Sequence, residues 1–131
     1  MNKPVVAVFG ERRVLLLDSI TWMAPADAGH IVISGSHGGS SAGEYAILYP
    51  LALCCMNDAG VGKDCAGIIA LDMLQARGTP GAAFSHDSAR IGEALDAWEH
   101  GVVSHVNAAA AALGIVAGRP LRDEILRLFA P

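Results

Sequence analysis

Three polar stretches, the first two rich in glycine, follow apolar runs in this sequence, and each carries a histidine or an aspartate near the point where its run ends. They are Gly35-Ser36-His37-Gly38-Gly39-Ser40-Ser41, then Asn57-Asp58-Ala59-Gly60-Val61-Gly62-Lys63-Asp64, then Ser85-His86-Asp87-Ser88-Ala89-Arg90. A plain connector needs some glycine and some polarity, but has no reason to set His37, Asp58 and His86 at equivalent points of three successive runs. Imidazole changes charge near neutral pH and a carboxylate orients it or supplies the second group, so the chemistry these residues suit is proton transfer. In that reading His37 or His86 is the general base and Asp58 its partner. The N–H groups of Gly38 and Gly39 stabilise a developing oxyanion, and Lys63 with Arg90 holds an anionic substrate. Ser36, Asn57, Ser85 and Asp87 are the remaining polar groups of the same loops that a substrate would meet.

Gly60-Val61-Gly62-Lys63-Asp64 leads from an apolar run into a helical pattern, so its backbone N–H groups and the helix dipole predict a cradle for a carboxylate or phosphate, with Lys63 as a point charge. The loop departs from the nucleotide-binding P-loop: Asn57 stands where that motif needs Gly or Ala, and Asp64 where it needs a metal-binding hydroxyl. The plainer alternative is a tight turn in which Gly60 and Gly62 relieve backbone strain and Asp64 caps the helix. Gly39-Ser40-Ser41-Ala42-Gly43 matches G-x-S-x-G, but its serine lies several residues past the run, so Ser40 or Ser41 is expected to be a helix N-cap. Ser85-His86-Asp87 is not a triad, because chain neighbours do not direct their side chains at one another in a relay. It is expected to contribute one member, His86.

His37-Gly38 after the run 31–33, followed by a run that ends at Cys54-Cys55, resembles the His-Gly then Cys layout of caspase-like cysteine peptidases. The resemblance is local. It implies a thiol hydrolase in which His37 deprotonates Cys55 and the Gly38 N–H helps bind the oxyanion. The alternative for the same residues is a strand whose two cysteines point to opposite faces and fill the core as small hydrophobes.

Metal chemistry has little footing. His100 and His105 are five apart rather than four, and neither H-E-x-x-H nor cysteine-based spacing occurs. Sequence leaves open only a set assembled in space from His37, Asp58, His86 and His100. No metal and no cofactor are expected.

The elements that must position these residues follow from periodicity. Continuous apolar runs at 5–9, 14–17, 31–34, 51–56 and 82–85 read as strands covered on both faces, as in a largely parallel sheet. Helical patterns lie at 42–49, 64–77, 91–99, 107–113 and 121–129, with Gly78 and Gly114 as stop signals. The alternation predicts one α/β domain over residues 1–131: a three-layer sandwich with a mostly parallel, Rossmann-like or flavodoxin-like sheet. The first two strands, joined by Gly10-Glu11-Arg12-Arg13, form a possible hairpin at its edge. The alanine run 108–112 is expected to be buried against a neighbour or a second copy, and residues 121–129 to place Leu121, Ile125, Leu128 and Phe129 inward with Glu124 and Arg127 elsewhere.

The chain has 131 residues, with nine Lys and Arg against thirteen Asp and Glu. That balance offers no basic stripe for nucleic acid or an anionic membrane. The longest apolar stretch, 45–56, is twelve residues and interrupted by Pro50, short of the roughly twenty that cross a bilayer. Three cysteines, two of them vicinal, make no paired framework, so a reducing cytoplasm is expected. Only 17% of residues are charged while 53% are hydrophobic, which predicts surface buried in a homo-oligomer. The expectation is a small cytoplasmic enzyme acting on a carboxylate-, amide- or phosphate-bearing metabolite. Hydrolysis comes first, with a lyase or isomerase built on the same residues, or a non-catalytic anion-binding or assembly subunit, as the alternatives.

Overall fold

The structure, a computed structural model, describes residues 3–131. A mixed sheet of six strands runs in sequence order: β1 (Val5–Phe9), β2 (Arg12–Leu17), β3 (Ile31–His37), β4 (Leu53–Asn57), β5 (Gly81–Phe84) and β6 (Val103–Val106). The central pairings β2/β3, β3/β4 and β4/β5 are parallel, and an antiparallel pairing closes each edge. The β1/β2 hairpin is the one expected from Gly10, which turns at φ 65°. Strand β6 was not foreseen, because Ser104 and His105 interrupt its apolar character.

Alternation sorts the apolar runs to the two faces. Val14, Leu16, Ile31, Ile33, Leu53, Cys55 and Phe84 face α3 (Ala94–His100), α4 (Ala108–Leu113) and α5 (Leu121–Phe129). Leu15, Leu17, Val32, Cys54 and Met56 face α1 (Ser40–Ala46) and α2 (Ile69–Ala76), with a 3-10 turn at Ile20–Trp22. The strand order never reverses, so the sheet lacks the switch point at which doubly wound folds open their ligand crevice.

That order has a consequence for the carboxyl edge. The crossovers from β2 to β5 lie on the α1/α2 face, yet α3, which follows β5, packs on the other face against β3 and β2. Residues 85–93 therefore run back across the ends of the strands. Strands β4, β3 and β2 hold this strap and its entry into α3. Asn57 Nδ2 at the end of β4 donates to the Ala89 carbonyl at 2.9 Å, Gly92 N–H donates to the Gly35 carbonyl of β3 at 2.7 Å, and Asp18 after β2 accepts from Ala94 N–H at 2.9 Å. Gly35 is required by the crossing, since a Cβ there would lie 2.6–2.7 Å from backbone atoms of Gly92, Asp18 and Glu93.

Four local expectations are corrected. The helix expected at 64–77 begins only at Ile69, because Asp64 and Cys65 adopt left-handed φ of 56° and 59° inside a 3-10 stretch, Lys63–Ile68. Helix α1 is capped by Gly39 without a side-chain bond, so neither Ser40 nor Ser41 is the N-cap. Of the alanine run only Ala110 is buried, the helix standing on the sheet by one edge. Glu124 is 1% exposed: Val116 N–H and the Arg127 guanidinium bind Oε2 at 2.9 and 2.8 Å, and Arg119 stands 3.7 Å from Oε1, which ties the 114–120 turn to α5.

Gly35→Ala is expected to lower stability by about 1–3 kcal/mol through overpacking against backbone that cannot rotate away. Asn57→Ala is expected to cost a similar amount by leaving the Ala89 carbonyl and the Ala59 N–H unpartnered. Urea unfolding of both variants beside the parent measures this, and wild-type midpoints would refute the strap.

Candidate functional site

Parallel register sets His37 of β3 opposite Asn57 of β4, and Asn57 opposite Phe84 of β5. The three expected loops thus do leave the sheet at one level. Their side chains part from there.

Asp58 is 4% exposed, and its Oδ1 accepts the N–H of Gly60 at 2.8 Å and of His86 at 3.0 Å. One carboxylate thereby joins the loop after β4 to the loop after β5. The imidazole of His86 lies over it, Nδ1 3.3 Å from Oδ1, while Nε2 meets Asp87 Oδ1 at 3.1 Å. The Asp87 contact corrects the expectation that chain neighbours cannot pair, since a tight turn brings the two side chains around. Burial alone would raise the Asp58 pKa. Hydrogen bonds from the Gly60 and His86 N–H groups, with the Ser104 hydroxyl and the His86 ring beside the carboxylate, outweigh it and hold the carboxyl below its ordinary 3.8. The structure places an ionised carboxylate under a ring that is 48% exposed. Gly60, at φ 75°, carries the turn beside that ring.

His86, Asp87, Ser88, Arg90, Asp96 and His100 line an open cleft of about 410 Å³, within the roughly 300–1,000 Å³ typical of small-molecule sites. Arg90 is loosely held, its Nε 4.0 Å from Glu93. Asp96 accepts the Arg90 N–H at 2.9 Å and stands 3.4 Å from His100 Nδ1. The Asp96–His100 pair and Asp18 were missed by sequence reasoning. For the pair, the i, i+4 spacing on a helix was the available signal.

His37 does not join this group. Its Nδ1 accepts the Gly39 N–H at 3.1 Å, and it lines a separate hollow of about 150 Å³ with Thr21, Ser36, Ser41 and Tyr45. With Nδ1 occupied as an acceptor, a neutral His37 carries its proton on Nε2 and has no outward lone pair. Gly38 N–H donates to the Asn57 carbonyl at 3.1 Å, and Gly39 N–H to His37; neither is open to an oxyanion. Ser36 Oγ accepts from Ile20 N–H, Ser85 Oγ donates to Ser88, and buried Asn57 clamps the strap, so these three serve the fold.

The loop expected to cradle an anion turns its donors inward as well. The N–H groups of Gly60, Val61 and Gly62 bind Asp58 Oδ1, the Asp58 carbonyl and the Gly60 carbonyl, and Ala70 N–H at the start of α2 binds the Gly38 carbonyl. Lys63 is exposed and does not line the cleft. Ala59, Val61, Asp64 and Cys65 all hold φ between 51° and 67°, strain of the kind that surrounding contacts must enforce. The thiol pair is excluded: Cys55 is fully buried, stands level with Ile33 rather than His37, and burial raises its pKa well above 9.0. Among the described residues no group of three or more His, Cys, Asp or Glu is placed to hold a metal ion.

Set against known proteins, the chain matches no family model, no curated protein and no solved structure.

Because Asp58 and Glu124 both have lowered pKa values, their stabilisation is complete above the ordinary 3.8 and 4.5 and is lost as pH falls through the lower folded values. Melting temperature is expected to be flat from neutral pH to about 5 and to fall below 4, with a shallower fall in Asp58→Asn. At pH 7 Asp58→Ala is expected to cost about 2–3 kcal/mol for two deprived N–H groups, whereas His86→Ala stays within about 0.5 kcal/mol. Equal losses in the two variants would contradict this assignment.

Proposed function

We propose that this protein is a small acid–base enzyme that hydrolyses a carboxylate-, amide- or phosphate-bearing metabolite in the cleft of His86. One observation carries the reading: a half-exposed imidazole held by a buried, ionised Asp58 at the wall of a cleft of about 410 Å³. A structural aspartate has no need of a ring above it, and a surface histidine has no need of a buried carboxylate below. Asp58 fixes the ring, His86 transfers a proton at the leaving group, and the guanidinium of Arg90 grips the anionic end of the substrate. A lyase or isomerase would draw on the same residues.

A second reading, a non-catalytic binding or assembly subunit, is favoured by the inward bonds of Asn57, Gly38, Gly39 and Gly62. We also read the two-sided packing of the sheet as a three-layer arrangement. The exposed Val5 and Val8 of β1 with Ile91 and Leu95 support a homo-oligomer. Among the described residues no helix is long and apolar enough to cross a membrane.

The test is a panel of p-nitrophenyl acetate, p-nitrophenyl phosphate and small amides, run with the parent and His86→Ala. Turnover that falls by about 10²–10⁴-fold in the variant at unchanged melting temperature is the expected result. Turnover equal in both, or no turnover and no perturbation of the His86 ring resonances by any member, would give way to the binding-subunit reading.

A further inference from the structure

We propose that His100, positioned by Asp96, is a second proton-transfer group of the cleft, serving as base while His86 serves as acid; this rests on the hydrolytic reading of the same site. Both rings line one cleft, and both pairs are built alike. In each, a carboxylate is fixed by backbone N–H of a strap or loop residue and presents an oxygen to a histidine Nδ1: Asp58 through Gly60 and His86, Asp96 through Arg90.

The ring nitrogens differ in a way that separates the roles. His86 has a carboxylate at each, Asp58 at 3.3 Å and Asp87 at 3.1 Å, so both positions have an acceptor for an N–H. His100 has Asp96 at Nδ1, 3.4 Å away, and among the described residues nothing bonded to Nε2. A proton on Nδ1 facing Asp96 leaves the Nε2 lone pair unbonded on a ring that lines the cleft. An ordinary i, i+4 surface pair explains less, because Asp96 is bonded across to the strap through Arg90 N–H at 2.9 Å and its side chain is only 21% exposed.

For an amide substrate the steps balance without a further reactant. A water O–H proton passes to His100 Nε2 as the water oxygen bonds to the carbonyl carbon. When the tetrahedral species collapses, the C–N bond breaks, its electron pair leaves with nitrogen, and that nitrogen displaces the exposed Asp87 carboxylate from His86 Nε2 and takes the proton there. Acid and amine depart with one water consumed; His100 ends protonated and His86 neutral, and exchange with solvent restores both. Arg90 lines the same cleft and holds the anionic end of the substrate.

Long-range ¹⁵N spectra of the imidazoles in the full chain decide the first part. A neutral His100 is expected to carry its proton on Nδ1, and to move it to Nε2 in Asp96→Asn. An Nε2–H tautomer in the parent, or no response to that substitution, overturns the proposal whether or not a substrate is known. With any amide from the panel, His100→Gln is expected to lower kcat by about 10²-fold with KM and melting temperature held. Unchanged kcat in His100→Gln beside an inactive His86→Ala would overturn the role of His100 alone and leave the Asp58–His86 reading standing.

Discussion

Two loops leave the carboxyl edge of the sheet side by side, and the carboxylate of Asp58 joins them. Taking a charge out of water is costly, and here burial is the largest single influence on the group, yet its pKa is lowered. The N–H bonds from Gly60 and His86, with the Ser104 hydroxyl, therefore outweigh desolvation. Bonds to charged groups contribute about 1.5–3 kcal/mol each, enough to set the conformation of a loop that otherwise carries strained, left-handed Ala59 and Val61. Remove the carboxylate and both the loop and the seat of His86 lose their anchor.

A second constraint comes from topology. With strands in sequence order, the chain leaving β5 must cross the sheet's carboxyl edge to place α3 over β3 and β2. The strap so formed supplies His86, Asp87, Ser88 and Arg90 to the cleft, and α3 closes it with Asp96 and His100. Gly35, Asn57 and Asp18 hold the strap to successive strands. The cleft thus lies where a segment passes over the strand ends, in place of a reversal of strand order.

Much of the framework was legible in local pattern. Five strands, the hairpin at Gly10 and the last two helices follow from apolar runs and stop signals, because those features are set by residues a few positions apart. So was the clustering of polar residues at one edge, and Asp58 with His86 does form a pair. What local pattern could not carry is which N–H meets which acceptor. Gly38 and Gly39 look like free donors in sequence and are bonded to Asn57 and His37. Glu124 looks like a polar-face residue and is buried by Arg127, Arg119 and Val116, a network closed by the turn before α5. His37 and His86 occupy equivalent strand ends, yet their rings turn into different hollows.

The account stands on an ionised Asp58 beneath His86, and the most direct measurement is the pH titration of the Asp58 carboxyl carbon by NMR in the folded protein. The account predicts a midpoint below the ordinary 3.8, raised when His86 is replaced by alanine, because the ring is one of the groups that favour the charged form. A midpoint at or above 3.8, or one indifferent to His86, would mean that burial prevails and that the pair is not the ionised anchor described here.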